Sequence, residues 1–454
     1  MGEKKRGWKV AVAGECMSIL PFSDKKEPGF LKIKEIMEAA DVCYAHLEMN
    51  LGDFTKSAWP ARAKGGSSYM LADPVIAKEL RWLGVDIMST CHNHSYDWGA
   101  PGVLETIKHC READIVCAGL GVDLEEAREP AYWHGEAGRA ALVATSTGNL
   151  SHEWANLSKG SMSTRPGVNP LRIEMRYILP EAEFETLRNI GEKLNVLEED
   201  TKTGNFYLYM PGALPRGGSS TVFSKGKDYG IDSSCDPRDL EGNLLSIKEA
   251  RLWADFVMVA HHFNANEGAR GEKPPTYARK FAHAAIDAGA DMYVAHGWHK
   301  VLGFEIYKGK PIFYGLGNFF AQSQFVRRVP YDSYEAYGHD VSRLSHLRPS
   351  DEPLHPGMDP INPTWWTSLL FEAEYKPDGQ IKAITFHPIE MGVDITETPA
   401  HKTRQIGGYH AEGRPILATG ENAKRILDWL QKVSNHLGSE IKIDGDIGRW
   451  YADK

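Results

Sequence analysis

Glutamate, asparagine and histidine recur in this sequence at one kind of position, directly after a short apolar run. "VAVAG" ends at Glu15, "VCYAHL" ends at Glu48, and "DIMSTC" runs into His92, Asn93 and His94. Further along, "DFVMVA" meets His261 and His262, and "DMYVA" leads into His296 and His299 within "AHGWH". Imidazole suits divalent ions of the zinc, iron and manganese class, and carboxylates can bridge two of them. A single histidine after a strand is ordinarily a surface or capping residue. Five strand tips with the same donor types point further, because ligands in α/β folds bind at the carboxyl ends of the strands.

Those tips need strands to carry them, and the apolar pattern supplies them. "WKVAVAG", "DVCYAHL", "VDIMSTC", "IVCAG" and "RAALVATS" read as strands. They alternate with the helical patterns "FLKIKEIMEAA", "DPVIAKELRWLG" and "PGVLETIKHCREAD". The alternation lapses near Ser151, where Gly, Ser and Pro accumulate around a helical piece, "PEAEFETLRNIGEKLNVLEE", and a strand-like "NFYLYM". It resumes with "LLSIKEARLWA" as helix, "DFVMVA" as strand, "PPTYARKFAHAAIDAG" as a helix with Pro in its first turn and Gly at its end, and the strands "DMYVA", "LGFEIY" and "KPIFYG". "TSLLFEAEY" and "QIKAITFHPIEM" predict an antiparallel pair across the turn "KPDG". "ENAKRILDWLQKVSNHLG" predicts an amphipathic helix on the outside of the sheet. The expected class is α/β with largely parallel pairing. The expected division is a first half of the core over 1–150, an insertion or lid over 151–245, a second half over 246–400 with an irregular loop at 322–364, and a helical extension over 401–454.

Bulk properties narrow the function classes. The 454 residues are 42% hydrophobic and 25% charged, enough for a core that needs no disulfide or structural metal. A net charge of -9 argues against a nucleic-acid partner. No run reaches the roughly 18 apolar residues of a membrane helix, so no membrane anchor is visible. The apolar run after "MGEKKRG" is too short for a signal peptide. The six cysteines contain no C-x-x-C pair, which favours free thiols in a reducing compartment. The expected location is the cytoplasm.

Other residues carry weaker signals. Arg62 and Lys64 sit in "WPARAKGGSSYML", a Gly/Ser-rich loop that could fold over an anionic substrate, or simply be a solvated loop. Arg327 and Arg328 read the same way. Asn318 in "YGLGNFF" reads as support for a strand turn. Cys16 and Cys91 flank candidate donors and should point away from them as strand neighbours. The aromatic-rich stretch from Tyr331 to Trp366 reads as a pocket lining or as packing for a lid.

The stretches "AGECM", "ADVCYAHLEMNL", "LGVDIMSTCHNHSYDWGAPGVLET", "DFVMVAHHF" and "AHAAIDAGADMYVAHGWHKVLGFEIYKGKPIFYGLGNFF" resemble the CapA/PgsA poly-γ-glutamate capsule-synthesis family. The resemblance covers roughly 8–150, 245–325 and C-terminal pieces, and leaves the insertion unexplained. It implies the four-layer α/β/β/α sandwich of the calcineurin-like metallophosphoesterases, with two divalent cations (Mn, Zn or Fe) between strand ends. Carried over, Glu48 would bridge the two, Asn93, His262 and His296 would hold one cation, and Glu15 and His299 the other. His94 would donate a proton, oriented by Asp97. Counting from Asp255 favours His262, with the adjacent His261 left open.

The implied chemistry is hydrolysis by a hydroxide activated between the two cations, with His94 protonating the leaving group. An amide, ester or lactone of a small-molecule or glutamyl-type substrate is the leading reading. A phosphoesterase is the alternative, and an accessory protein of poly-γ-glutamate capsule biosynthesis a third. Departures from the family pattern fall at the site itself. Glu15 stands where Asp is usual, His46 and His92 where Asn is usual, Trp298 where Pro is usual, and "HHFN" replaces His-Trp-Gly.

Overall fold

The computed structural model describes residues 7–53, 59–61, 69–208, 221–264, 271–326, 330, 364–391, 405–406, 409–410 and 412–452. Its first half alternates β1 (Lys9–Met17), α1 (Pro28–Glu38), β2 (Val42–Leu47), α2 (Val75–Leu83), β3 (Ile87–Ser89), α3 (Gly99–Glu112) and β4 (Val116–Ala118). A hairpin of β5 (Ala131–Gly135) and β6 (Gly138–Thr147) follows. The insertion contributes β7 (Ile173–Leu179), α4 (Glu181–Lys193), β8 (Leu197–Asp200), β9 (Asn205–Leu208), β10 (Thr221–Lys225) and β11 (Gly230–Cys235). The core resumes with α5 (Pro237–Trp253), β12 (Phe256–Phe263), α6 (Thr276–Ala288), β13 (Met292–His296), β14 (Phe304–Tyr307), β15 (Lys310–Phe313) and β16 (Asn318–Ala321). It closes with β17 (Thr367–Tyr375), β18 (Ile381–Glu390), α7 (Gly420–Ser434), β19 (Lys442–Asp444) and β20 (Ile447–Tyr451).

Two sheets form the centre. The first runs β19-β20-β18-β17-β1-β2-β3-β4, with β16 also on β1, and β1 through β4 are parallel. The second runs β14-β15-β13-β12-β6-β5, parallel from β15 through β13 and β12 to β6. Side chains alternate across each strand, and three apolar clusters follow that alternation. Val10, Val12, Val42 and Tyr44 of the first sheet meet Leu142, Met258, Ala260, Met292 and Val294 of the second in one inner cluster. Ala11, Ala13, Cys43 and Ala45 face outward onto Phe30, Ile33 and Met37 of α1 and Ile76 and Leu80 of α2. Val257, Val259 and Tyr293 face outward onto Ile247 of α5 and Phe281 and Ala282 of α6. The layers are therefore α/β/β/α, as expected.

Helix ends follow local chemistry. Pro28 occupies the first turn of α1, where a missing N–H costs nothing. Gly84 and Gly289 end α2 and α6 with φ of 110° and 119°, a conformation open to glycine. The predicted antiparallel pair across "KPDG" is β17 with β18.

Two expectations need correction. The helical piece read from Pro180 to Glu199 stops at Lys193; Asn195 turns the chain at φ 54° and Leu197–Asp200 becomes a strand, so the insertion carries its own five-stranded sheet. The C-terminal helix does not lie on an outer face. Ala423, Ile426, Leu427, Leu430 and Val433 of α7 join the inner cluster, and α7 touches β18 and β20 of one sheet and β14 of the other. Its apolar stripe caps the open flank between the sheets.

Candidate metal centre

The inner face of the sandwich is apolar until the strands reach their carboxyl ends, and there it turns polar in register. Across the first sheet, Glu15 pairs with His46 and His46 with Ser89. Across the second, His262 pairs with His296. His46 and Glu48 share the inner face with Val42 and Tyr44 by simple alternation, as His262 does with Met258 and Ala260. Glu15 does not follow that rule. Counted from Ala11 and Ala13 it belongs outside, but an irregularity in register between Val12 and Glu15 shifts the strand by one residue. Glu15 thereby joins the inner row and Cys16 goes outward. Gly14 permits the distortion, since a Cβ there would lie 2.1 Å from the Gly317 carbonyl oxygen.

Two groups of donors have their ligand atoms within 4.8 Å of one another: His46, Glu48 and His262, and Glu15, Glu48 and His299. Glu48 belongs to both. Its Oε1 lies 4.0 Å from His262 Nε2 and its Oε2 3.7 Å from His299 Nδ1. Glu15 Oε2 is 2.8 Å from His299 Nδ1. Asn93 Oδ1 sits 2.8 Å from His262 Nε2. His296 is in neither group, but its ring stacks on His46 at 4.4 Å between centroids. His299 holds a positive φ of 56°, unusual outside glycine and a form of strain that gathers at functional sites.

Electrostatics suit a cation site. Burial pushes the Glu15 carboxyl upward, but His299, Glu48 and His296 outweigh it and hold the group well below the usual carboxylate range. Burial drives His46, His92 and His262 well below the usual imidazole range, and His296 to about 4. These rings are neutral at physiological pH, the state in which imidazole ligates metal. His296 Nδ1 is buried with no hydrogen-bond partner among the described residues. Such a donor set, with an orphaned imidazole nitrogen near it, fits divalent cations.

His94 and Asp97 are brought together: His94 Nδ1 lies 2.8 Å from Asp97 Oδ2, and Asp97 Oδ2 also accepts from the Met70 backbone at 3.0 Å. The neighbouring His261 and His262 separate by strand alternation. His261 faces outward, bonded to Thr147 Oγ1 at 2.8 Å and Tyr293 Oη at 2.7 Å among aromatic rings, and burial takes it to about 3. The inner position is His262.

Arg62, Lys64, Arg327 and Arg328 lie outside the described residues. All six cysteines are free thiols; Cys16 packs into the outer cluster, away from Glu15 as expected, whereas Cys91 packs into the inner one. Asn318 does more than support a turn: its Oδ1 is 2.9 Å from His299 Nδ1 while its amide donates to the Trp365 carbonyl. Trp365 lies against the His299 ring at 4.5 Å. Sequence reasoning also left His46 without a role, and Tyr44 and Ser89 unnoticed. The alternation in "YAHLE" puts Tyr44, His46 and Glu48 on one face, and was the available signal.

Among the described residues no helix is long and apolar enough to cross a membrane. The chain is similar along nearly its whole length to the uncharacterized protein y4sH of Sinorhizobium fredii (strain NBRC 101917 / NGR234), at 29% identity over 97% of this chain and 92% of that one. It is 23% identical to the capsule biosynthesis protein CapA of Bacillus anthracis over 65% of this chain, and spans 58% of CapA. A solved putative 5'-nucleotidase from Staphylococcus aureus aligns over 94% of this chain and 59% of its own, at 9% identity and a TM-score of 0.37. Residues 9–323 match the family described as bacterial capsule synthesis protein PGA_cap, and the chain belongs to that family.

Proposed function

We propose that this protein is a dinuclear metal-dependent hydrolase acting on an amide-type bond of a glutamyl substrate. The observation that carries the reading is Glu48, a fully buried carboxylate offering one oxygen to each of two donor groups beside a His–Asp pair. Glu15, Glu48 and His299 would hold one cation. Glu48, His262 and Asn93, with His296, would hold the other. Two such cations supply Lewis acidity and lower the pKa of water.

The protein's own groups do the rest. His94 takes the proton-transfer role: its bond to Asp97 keeps a proton on Nδ1 and leaves Nε2 as the nitrogen that exchanges one with the leaving group. Asp97, 1% exposed and held by Met70, fixes the ring's angle. Trp365 packs against the His299 ring and braces it. Arg62 and Lys64 remain the proposed contacts to an anionic substrate. The glutamyl substrate class is supported by the family's link to capsule synthesis. Six free thiols support a cytoplasmic setting.

A second reading, an accessory role in polyglutamate capsule assembly without turnover, is favoured by the name of a Mycobacterium tuberculosis relative, a probable polyglutamine synthesis accessory protein 26% identical over 68% of this chain. Elemental analysis of protein purified without added metal, followed by assay on γ-glutamyl-p-nitroanilide, a p-nitrophenyl ester and p-nitrophenyl phosphate, separates the readings. About two transition-metal equivalents with anilide turnover support the hydrolase. Turnover of phosphate alone makes it a phosphoesterase, and bound metal without any turnover favours the accessory role.

A further inference from the structure

Five buried side chains form an unbroken hydrogen-bonded line behind the metal centre. His262 Nδ1 is 3.0 Å from His46 Nε2, and His46 Nδ1 is 2.7 Å from Ser89 Oγ. Ser89 Oγ is 2.6 Å from Tyr44 Oη, which is 2.9 Å from His296 Nε2. At one end the outer nitrogen, His262 Nε2, lies beside Glu48 and Asn93; at the other, His296 Nδ1 is buried without a protein partner among the described residues. None of the five is more than 1% exposed, and every link is a direct contact of 3.0 Å or less.

Proton counting constrains this line. Each neutral imidazole brings one N–H, and Ser89 and Tyr44 bring one O–H each. That makes five protons for four links. Every link takes one, and the fifth sits on an outer nitrogen at one end. If His262 Nε2 keeps its lone pair, His262 donates to His46, His46 to Ser89, Ser89 to Tyr44 and Tyr44 to His296, which then carries N–H on Nδ1. If His296 Nδ1 keeps its lone pair, every donor reverses and His262 Nε2–H points at Asn93 Oδ1. In both directions the two nitrogens of His46 are fully engaged.

We propose that His46, Ser89 and Tyr44 are positioning residues that lock His46, His262 and His296 into one shared tautomer, all Nδ1–H or all Nε2–H. His46 is then a relay and not a ligand, despite lying within reach of a cation. Seating both His262 Nε2 and His296 Nδ1 on metal therefore requires the line to release its fifth proton or to break one link. That consequence rests on the metal reading above; the shared tautomer does not.

The test is nitrogen-15 NMR of histidine-labelled, metal-free full-length protein, which separates protonated from bare ring nitrogens. The wild type should show the same tautomer at all three rings. Ser89→Ala cuts the line and should shift His296 away from the tautomer shared by His46 and His262, while Ser89→Thr keeps the hydroxyl and restores the common pattern. Mixed tautomers in the wild type would overturn the proposal, as would a Ser89→Ala spectrum identical to it. Thermal melting checks that each variant is folded; should Ser89→Ala fail, Tyr44→Phe cuts the same line one link on. Because metal is absent, failure here leaves the hydrolase reading standing, and a protein that binds no metal leaves the tautomer result intact.

Discussion

Glu48→Gln is the most informative single change, because it removes charge while keeping shape. In the native chain Glu48 and Glu15 are buried beside each other, at 0% and 1% exposure. Without metal the variant relieves like-charge crowding, so its melting temperature should hold or rise. With metal the effect reverses. A unit charge about 4 Å from a unit of cation charge, at an effective dielectric near 20, interacts by about 4 kcal/mol. That corresponds to roughly three decades in dissociation constant. At a metal concentration about a thousandfold above Kd, the wild type gains about 4 kcal/mol on binding, whereas the variant at the same concentration gains about 0.4 kcal/mol. For a chain of this size, at about 2 °C per kcal/mol, the wild type's gain is an upshift of roughly 8 °C.

The assay is thermal unfolding of metal-stripped protein with and without added Zn or Mn, paired with elemental analysis. Wild type should retain two equivalents and show the full upshift. Glu48→Gln should lose both, because each carboxylate oxygen approaches a different histidine. Glu15→Gln, which touches only the His299 group, should keep one. If Glu48→Gln keeps two equivalents and the full upshift, Glu48 is not shared between cations and the proposed centre fails.

Two further outcomes test other parts of the protein. His94→Ala should keep two metal equivalents and lower kcat about 10²-fold, the usual scale for a lost general acid; Asp97→Asn should fall between them, and full activity in His94→Ala would remove that residue from the chemistry. Glu372 lies far from the centre, where burial raises its carboxyl but His387 and Lys9 prevail and hold it below the usual range. A depressed carboxyl stabilises the fold above its unfolded-state pKa and loses that contribution as pH falls through the folded value. Glu372→Gln should therefore cost about 1 kcal/mol at pH 7, and the gap should close below about pH 4. Urea titrations from pH 3 to 7 would show it, and a gap independent of pH would refute it.

The parts of this fold and centre that were legible obey period-two alternation. "DFVMVAHHF" alternates cleanly, so the inward Met258 and Ala260 put His262 inside and His261 among the aromatics of the outer layer. "YAHLE" carries the same information for His46, but reading histidine only at strand tips hid a histidine within one. Glu15 was counted among the donors for a reason the structure does not supply. Its type and position suggested a ligand, yet simple alternation from Ala11 and Ala13 would have buried it among the helices. Only a register irregularity turns it inward, and local sequence does not specify that. Asn318 was unreadable for a different reason: its role depends on β16 pairing with β1 across some 300 residues. The α7 helix was recognised by its apolar stripe, but a stripe does not say whether its partner is one sheet or the seam between two.

The centre lies where the core of the sandwich ends, and this placement explains both its donors and its cost. Each inner strand face is apolar up to its last one or two residues, so carboxylates and imidazoles enter a region already stripped of water. Burial keeps the imidazoles neutral and ready to ligate. The same burial makes Glu15 and Glu48 expensive to hold together unless positive charge compensates them. Among the described residues His299 is the imidazole that meets both carboxylates, and it does so from a backbone with positive φ, braced by Asn318 and Trp365. One of the protein's strained residues thus sits directly against the two buried carboxylates. A bound pair of cations would supply that compensation, and so couple metal uptake to the stability of the whole sandwich.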